Sequence, residues 1–262
     1  MHLTRGVRIV LTLMTAAVLA FIYVPLGVVV VNSFSASVSL TWPPPGFTTR
    51  WWQAAVGNEV IRSAMISSVG LAVVATLIAL LLGTLTAQAV GRYEFFGRET
   101  ISLLVVLPIA LPGIVTGIAL NNVFTGYLGG LSWMTLVVAH GTFTIVVVYN
   151  NSVARLRRLS PNVEEASMDL GATRTRTYWA ITFPMLRSAL VDGAVLAFGL
   201  SFDEIIVTTF TAGPGIQTLP IWILTNLFRP GQGPLVAVVA AFLVLVSIGP
   251  IYLAQHLSRS DR

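Results

Sequence analysis

Long apolar stretches separated by short polar ones make up most of this chain. A helix that crosses a bilayer needs about 20 consecutive, mostly apolar residues. This criterion predicts spanning helices at residues 9–32, 64–90, 100–124, 131–154, 188–212 and 234–256. We therefore expect an all-α integral membrane protein of six transmembrane helices, with residues 1–262 forming a single transmembrane domain. A signal peptide is the alternative for the first stretch, but its apolar run is too long and no clear cleavage site follows.

The composition agrees with a bilayer environment and excludes several kinds of chemistry. Hydrophobic residues make up 55% of the chain and charged residues only 10%, against about 25% charged residues in a typical soluble domain. Cysteine is absent and all fifteen cationic side chains are Arg. The absence of Lys excludes a Walker A phosphate loop and a Lys Schiff base. If ATP is used, a partner subunit must bind it.

The distribution of Arg predicts the orientation in the membrane. Cytoplasmic loops carry an excess of positive charge. With both termini in the cytoplasm, twelve of the fifteen Arg residues fall inside and only Arg50, Arg62 and Arg229 fall outside. Topology thus explains the net charge of +5 without a nucleic-acid partner.

The longest polar interruption lies between predicted spans four and five. Ser160 and Pro161 are typical of a helix start, and Glu164 and Glu165 suit the positive end of a helix dipole. Glu165 and Asp169, four residues apart, share one polar edge. Gly171 is a typical helix stop, after which Thr173 can begin a second helix and Pro184 marks a bend towards the membrane. Residues 157–187 are thus predicted to form a helix-turn-helix that meets a partner.

This segment resembles the signature of permease subunits of bacterial ATP-binding-cassette (ABC) importers, Glu-Ala-Ala-x3-Gly-x9-Ile-x-Leu-Pro. The matching positions are Glu165, Ala166, Gly171, Ile181 and Pro184, with Ser167 in place of Ala and Phe183 in place of Leu. Other stretches, among them 107–112, 201–204 and 218–220, resemble the spermidine/putrescine permease branch.

The resemblance implies a type I ABC importer permease fold in the cell inner membrane and a role as half of a pore. It makes the polar segment a coupling helix that docks on an ATPase subunit, carried by Glu164, Glu165, Ala166, Asp169, Gly171, Ile181 and Pro184. The implied partners are a second permease subunit, two ATP-binding subunits, an extracytoplasmic substrate-binding protein and the lipid bilayer. The chain itself is then not an enzyme and carries no cofactor, because ATP and Mg belong to the partner ATPase.

Four residues inside predicted spans are candidates for the substrate pathway. Asp203 and Glu204 are costly inside a membrane and suit a cationic substrate such as a polyamine. The alternatives are a hydrogen bond to Thr208 or Asn121, or a contact with the paired permease. Pro108 and Pro112 interrupt span three and indicate either a pathway lining or a packing kink.

Neither metal binding nor catalysis is indicated by the remaining residues. His140 is expected to be a packing residue, because no second His or Cys stands at ligand spacing, and no metal site is predicted. The alternative functions are the same permease role for thiamine, iron, a phosphonate or a sugar, and a proton-coupled secondary transporter that uses Asp203 or Glu204 as a relay. A membrane enzyme lacks support, since no pair of nucleophile and base is evident.

Overall fold

The computed structural model describes residues 4–39 and 41–259, and the elements formed by these residues are helices. In chain order they are α1 (Arg5–Asn32), α2 (Arg50–Val56), α3 (Glu59–Arg92), α4 (Arg98–Ala110), α5 (Gly113–Tyr127), α6 (Trp133–Leu156), α7 (Asn162–Asp169), α8 (Arg174–Thr177), α9 (Phe183–Phe202), α10 (Ile206–Thr211), α11 (Leu219–Asn226) and α12 (Gly233–Arg259). A π-helical turn, Tyr178–Thr182, joins α8 to α9.

The described residues contain four helices long and apolar enough to cross a membrane, or five if α4 and α5 count as one span. The four are α1, α3, α6 and the continuous helix Arg174–Phe202. Helix α12 contributes a shorter apolar segment, Gly233–Val246, which is not counted among these spans. The prediction of an all-helical membrane protein is thus confirmed, whereas the count of six spans stays a prediction. The chain termini, expected in the cytoplasm, lie outside the described residues.

Predicted span three is two helices rather than one kinked helix. The axes of α4 and α5 differ by 108°. Leu111 has ψ 141° and Pro112 has ψ 133°, so both residues are extended. A residue that precedes Pro avoids the helical region because of steric clash. Pro112 therefore ends α4 at Ala110, while Pro108 is accommodated inside α4.

Predicted span five, 188–212, is also divided. Its helix begins earlier than expected, at Arg174, and ends at Phe202. The chain then turns through Asp203–Ile205 before α10 begins. We call these three residues the acidic break.

The chain divides into two compact units. The first comprises the described residues up to Arg62 together with Ile223–Ile248, and the second comprises Ser63–Trp222 and the described residues from Gly249. In the first unit, Arg50 Nη2 donates to the Ala36 carbonyl at 2.8 Å and Trp51 Nε1 donates to the Ser35 carbonyl at 3.1 Å. These bonds fasten α2 to the extended segment that follows α1.

In the second unit, α6 is the central helix. Leu136, Ala139, Val146 and Val148 on α6 have no exposed surface. The helix packs against α4, α5, α9 and α10. Both candidate sites, the polar segment after α6 and the acidic break, belong to this unit.

Candidate functional site

The polar segment contains a short helix that begins and ends where the sequence predicts. Ser160 Oγ accepts a hydrogen bond of 3.3 Å from the Asn162 N–H, and α7 runs from Asn162 to Asp169. Gly171 then has φ 87°, in the left-handed region that favours Gly. Its N–H donates to the Met168 carbonyl at 2.9 Å. The turn after α7 therefore depends on a backbone conformation that other residues rarely adopt.

A second helix begins at once and continues into the membrane. Thr173 Oγ1 accepts a hydrogen bond of 3.3 Å from the Arg176 N–H at its start. The expected bend at Pro184 is wrong, because the helix runs without interruption from Arg174 to Phe202. Pro has no N–H to donate and its ring clashes with the preceding helical turn. The π turn at Tyr178–Thr182, in which the Phe183 N–H reaches back to the Tyr178 carbonyl, lies immediately before Pro184 and widens the helix there.

Glu164 lies against the helix bundle rather than at the free surface of α7. Its Oε1 atom accepts hydrogen bonds from Arg92 Nε at 3.0 Å and from Thr182 Oγ1 at 3.0 Å. The side chains of Arg92 and Glu164 are only 12% and 17% exposed. The Arg92 guanidinium also donates to the carbonyls of Leu156 and Leu159 at 3.3 Å and 3.5 Å. One cation thus joins the last turn of α3, the end of α6 and α7.

The outer side of α7 is exposed. Glu165, Ala166 and Asp169 are exposed, and the side chain of Leu170 is 91% exposed. Ser167 is different, because it is half-buried and its Oγ atom lies 3.0 Å from Thr177 Oγ1. The Ser that replaces Ala in the signature therefore has a partner in this chain. Of the other signature residues, Ile181 is half-buried and Pro184 exposed.

A cavity of about 460 Å³ lies between the end of α3 and this segment. It is lined on the α3 side by Gln88, Arg92 and Tyr93. On the other side it is lined by Glu164, Glu165, Met168, Arg174 and Tyr178. The Arg174 guanidinium stands 5.8 Å from the centre of the Tyr93 ring, a cation–π contact across the opening.

The two carboxylates of the acidic break, Asp203 and Glu204, have different environments. Glu204 Oε1 accepts a hydrogen bond of 2.8 Å from the Val207 N–H and so caps the start of α10. Asp203 follows the last residue of α9, and its side chain is exposed. The expectation that both lie inside one continuous span is wrong, because the helix ends before them.

Thr208 and Asn121, the alternative partners proposed for these carboxylates, donate to backbone carbonyls instead. Thr208 Oγ1 donates to the backbone carbonyl of Glu204 at 2.8 Å, and Asn121 Nδ2 donates to the Phe210 carbonyl at 2.6 Å. Neither donates to a carboxylate of the acidic break.

Helices α5 and α10, which each follow a break, lie side by side. A Cβ atom on Gly113 would lie 3.4 Å from Ile206, and one on Gly117 would lie 2.7 Å from Phe210 Cδ2. The contacts advance by four residues along both helices, so α5 and α10 run parallel. Both helices therefore begin close together, and Pro112 and the acidic break are neighbours. Pro108 lies within α4, one turn before the bend.

His140 is fully buried and both ring nitrogens are bonded, as expected of a packing residue. Nδ1 lies 2.8 Å from Ser201 Oγ, and Nε2 lies 3.0 Å from Thr208 Oγ1. Sequence reasoning missed Arg92, Thr182 and Ser201 as partners in these sites, because each stands at least 18 residues from its partner in the chain. Thr208 was considered as a donor to a carboxylate but not as a partner of His140, 68 residues away.

A family model described as "binding-protein-dependent transport system inner membrane component" matches residues 79–260. This range includes both the polar segment and the acidic break. The chain belongs to this family. This permease is therefore an inner-membrane component of a transport system, and as a transport protein it is not itself an enzyme.

Curated relatives are similar over most of the chain. The putrescine transport system permease protein PotI of Escherichia coli is 32% identical over 90% of this chain and 86% of that protein. The spermidine/putrescine transport system permease protein PotC of the same organism is 32% identical over 93% and 91%. PotC of Haemophilus influenzae is 31% identical over 93% and 94%.

Solved structures share the fold. A bacterial ABC transporter that imports the acidic polysaccharide alginate gives a TM-score of 0.70 at 15% identity and covers 99% of both chains. The alginate transporter in complex with a pentasaccharide-bound periplasmic protein gives a TM-score of 0.69 at 15% identity, over 97% of this chain and 94% of that one. The permease thus has the type I ABC importer permease fold.

Proposed function

We propose that this permease forms half of the substrate pathway of an ATP-driven polyamine importer and that residues 157–187 are its coupling loop. The observation that carries the coupling role is the contact between Arg92 and Glu164. It fixes α7 to the ends of α3 and α6 by bonds of 3.0 Å to 3.5 Å. A displacement of α7 by a partner would therefore move these helices as well.

The exposed side of α7 is the surface offered to the ATP-binding subunit. Leu170, 91% exposed, supplies an apolar contact beside the carboxylates of Glu165 and Asp169. An apolar side chain exposed at the tip of an ordered turn supplies area that a pocket on a partner can bury. Glu164 supports this surface from behind and does not take part in docking.

The coupling role can be tested with the transporter purified from co-expressed subunits. Glu165→Arg and Gly171→Pro are expected to remove the ATP-binding subunits from the purified complex while membrane insertion is retained. Glu94→Arg reverses another exposed carboxylate, in the loop that follows α3, and serves as the matched control. Unchanged co-purification of the ATP-binding subunits with both loop variants would refute the coupling role.

The polyamine substrate is supported by the names of the relatives and by the acidic break. Glu204 is occupied in capping α10, whereas Asp203 is exposed and its carboxylate receives no hydrogen bond from the described part of the chain. We assign Asp203, next to the start of α5 at Pro112, the role of attracting the cationic substrate. The second permease subunit completes the pathway, two ATP-binding subunits bind ATP and Mg and hydrolyse the ATP, and an extracytoplasmic binding protein delivers the substrate.

Uptake into proteoliposomes that contain the whole transporter tests the substrate and the energy source. Labelled spermidine should enter only with ATP and the binding protein present, and excess putrescine should compete. Asp203→Asn should lower this uptake. Competition by thiamine, iron, a phosphonate or a sugar instead would identify another solute. Uptake driven by a proton gradient without ATP would show a secondary transporter.

A further inference from the structure

His140 joins three helices at the acidic break. It lies on α6 with no exposed surface. Its Nδ1 atom lies 2.8 Å from Ser201 Oγ, near the end of α9, and its Nε2 atom lies 3.0 Å from Thr208 Oγ1, on α10. These two residues stand on either side of Asp203–Ile205. One buried side chain of α6 therefore contacts both helices that flank the break.

The contacts continue from His140 to the backbone of the acidic break. Thr208 Oγ1, which lies 3.0 Å from Nε2, also donates to the Glu204 carbonyl at 2.8 Å. A neutral imidazole has one donor and one acceptor nitrogen, so the ring can bond to both hydroxyls. The chain of contacts runs from Ser201 through His140 and Thr208 to the backbone of Glu204.

This chain of bonds ends at the acidic break itself. The carbonyl that receives the last bond belongs to Glu204, whose side chain caps the first turn of α10. Bonds to buried groups restrict the directions in which the connected backbone can move. A buried imidazole needs partners for both nitrogens, and here the two partners belong to the two helices on either side of the break.

We propose that His140 is a positioning residue that fixes the orientation of the acidic break and so keeps Asp203 at the exposed surface. The inference rests on the proposed function of Asp203 as a contact for the cationic substrate. His140 does not touch the substrate in this proposal. It acts through Ser201 and Thr208, and its loss would let α9 and α10 change their relative orientation at Asp203–Ile205.

Because the chain has no Cys, the accessibility of the acidic break can be measured with an introduced thiol. Asp203→Cys introduces the only thiol of this chain, and its rate of modification by a cationic methanethiosulfonate, followed on the permease subunit, reports how accessible the break is. The measurement uses the complete transporter in lipid nanodiscs, where both faces are open to reagent. Phe96→Cys, at a fully exposed position in the loop after α3, reports general changes in the complex.

Variants of the His140 network are then combined with each single thiol. His140→Leu keeps much of the volume but makes no hydrogen bonds. Ser201→Ala removes the bond to Nδ1, and Thr208→Val removes the bonds to Nε2 and to the Glu204 carbonyl. Both changes perturb packing less. Thr211→Val is the matched control, because Thr211 is equally buried on α10 but donates only to the Val207 carbonyl of its own helix.

His140→Leu and Thr208→Val should lower the modification rate at position 203 by about tenfold, an effect of the order of one to two hydrogen bonds. His140→Gln retains an amide donor and should restore part of the change. Thr211→Val should leave the rate unaltered, and no variant should alter the rate at position 96. Equal rates at position 203 in the Thr208→Val, Ser201→Ala and Thr211→Val backgrounds would overturn the proposal.

Uptake separates this inference from the function on which it rests. If Asp203→Asn leaves spermidine uptake unchanged, the substrate role of Asp203 is wrong, while the thiol rates still decide whether His140 positions the break. If Asp203→Asn lowers uptake and the network variants change neither uptake nor the thiol rate, only the role of His140 is wrong.

Discussion

Arg92 and Glu164 are 72 residues apart in the chain, yet Arg92 Nε donates a hydrogen bond of 3.0 Å to Glu164 Oε1. The same guanidinium reaches the carbonyls of Leu156 and Leu159 at the end of α6. The pair is largely shielded from water and joins the coupling loop to two long helices. The two neighbouring carboxylates therefore have different environments. Glu164 contacts the helix bundle and supports α7, whereas Glu165 is exposed.

Glu164→Gln should weaken this connection. The change keeps the shape of the side chain but removes the charge that strengthens the bond from Arg92. We expect a loss of about 1–3 kcal/mol in stability, seen as a lower unfolding temperature of the purified transporter, and less uptake per ATP hydrolysed. Glu165→Gln, at the exposed neighbouring position, should leave the unfolding temperature unchanged. Equal unfolding temperatures for wild type and Glu164→Gln would show that the pair does not stabilise the loop.

Leu170→Ser should affect docking without affecting the stability of the permease. The side chain is 91% exposed, so shortening it removes little packing within the chain. Burial of a Leu side chain in a partner pocket contributes about 1.5–3 kcal/mol, which corresponds to roughly a 10- to 150-fold loss of affinity when the side chain is truncated. Titration of the ATP-binding subunit onto the permease in nanodiscs measures this change. Phe96→Ser, a similar truncation at an exposed position outside the coupling loop, is the control, and equal affinities for both variants would argue against an anchor at Leu170.

Gly171→Ala should destabilise the coupling loop for a purely conformational reason. The position has φ 87°, and a Cβ atom added there meets no heavy atom within 4 Å. A left-handed conformation costs a residue with a Cβ atom about 1–2 kcal/mol. Hydrogen exchange of residues 162–177 should therefore become faster. Gly27→Ala, also without neighbours within 4 Å but inside α1, should leave that exchange unaltered. Unchanged exchange in Gly171→Ala would mean that the turn can adopt another conformation at no cost.

Gly117→Ala should separate α5 from α10. The added Cβ atom would lie 2.7 Å from Phe210 Cδ2, closer than real Cβ contacts allow. Overpacking of this kind costs about 1–3 kcal/mol, and here it acts on the two helices that begin at Pro112 and the acidic break. Both the unfolding temperature and spermidine uptake should fall. Gly126→Ala, on the same helix with no atom within 4 Å, should retain both, and an identical result for the two variants would contradict close packing at Gly117.

Local patterns in the sequence predict the elements of the coupling loop well. Ser160, Gly171 and Thr173 bond to backbone groups within three residues, so their effect on helix ends depends on nearby atoms alone. The apolar runs likewise predict a membrane protein, because the bilayer selects length and composition rather than specific contacts. The bend at Pro112 was also visible as a break signal, although its angle of 108° was not.

Contacts between residues far apart in the sequence determined the environments of the individual polar side chains. Glu164 and Glu165 are adjacent and chemically identical, and the packing of α7 against Arg92 and Thr182 makes one internal and the other exposed. Sequence periodicity likewise does not reveal that α9 ends at Phe202, or that Glu204 caps α10 while Asp203 is exposed. By itself the sequence determined which segments are helical and where hydrogen bonds between neighbouring residues end them. The tertiary structure determined which polar side chains find partners, because those partners come together only when the helices pack.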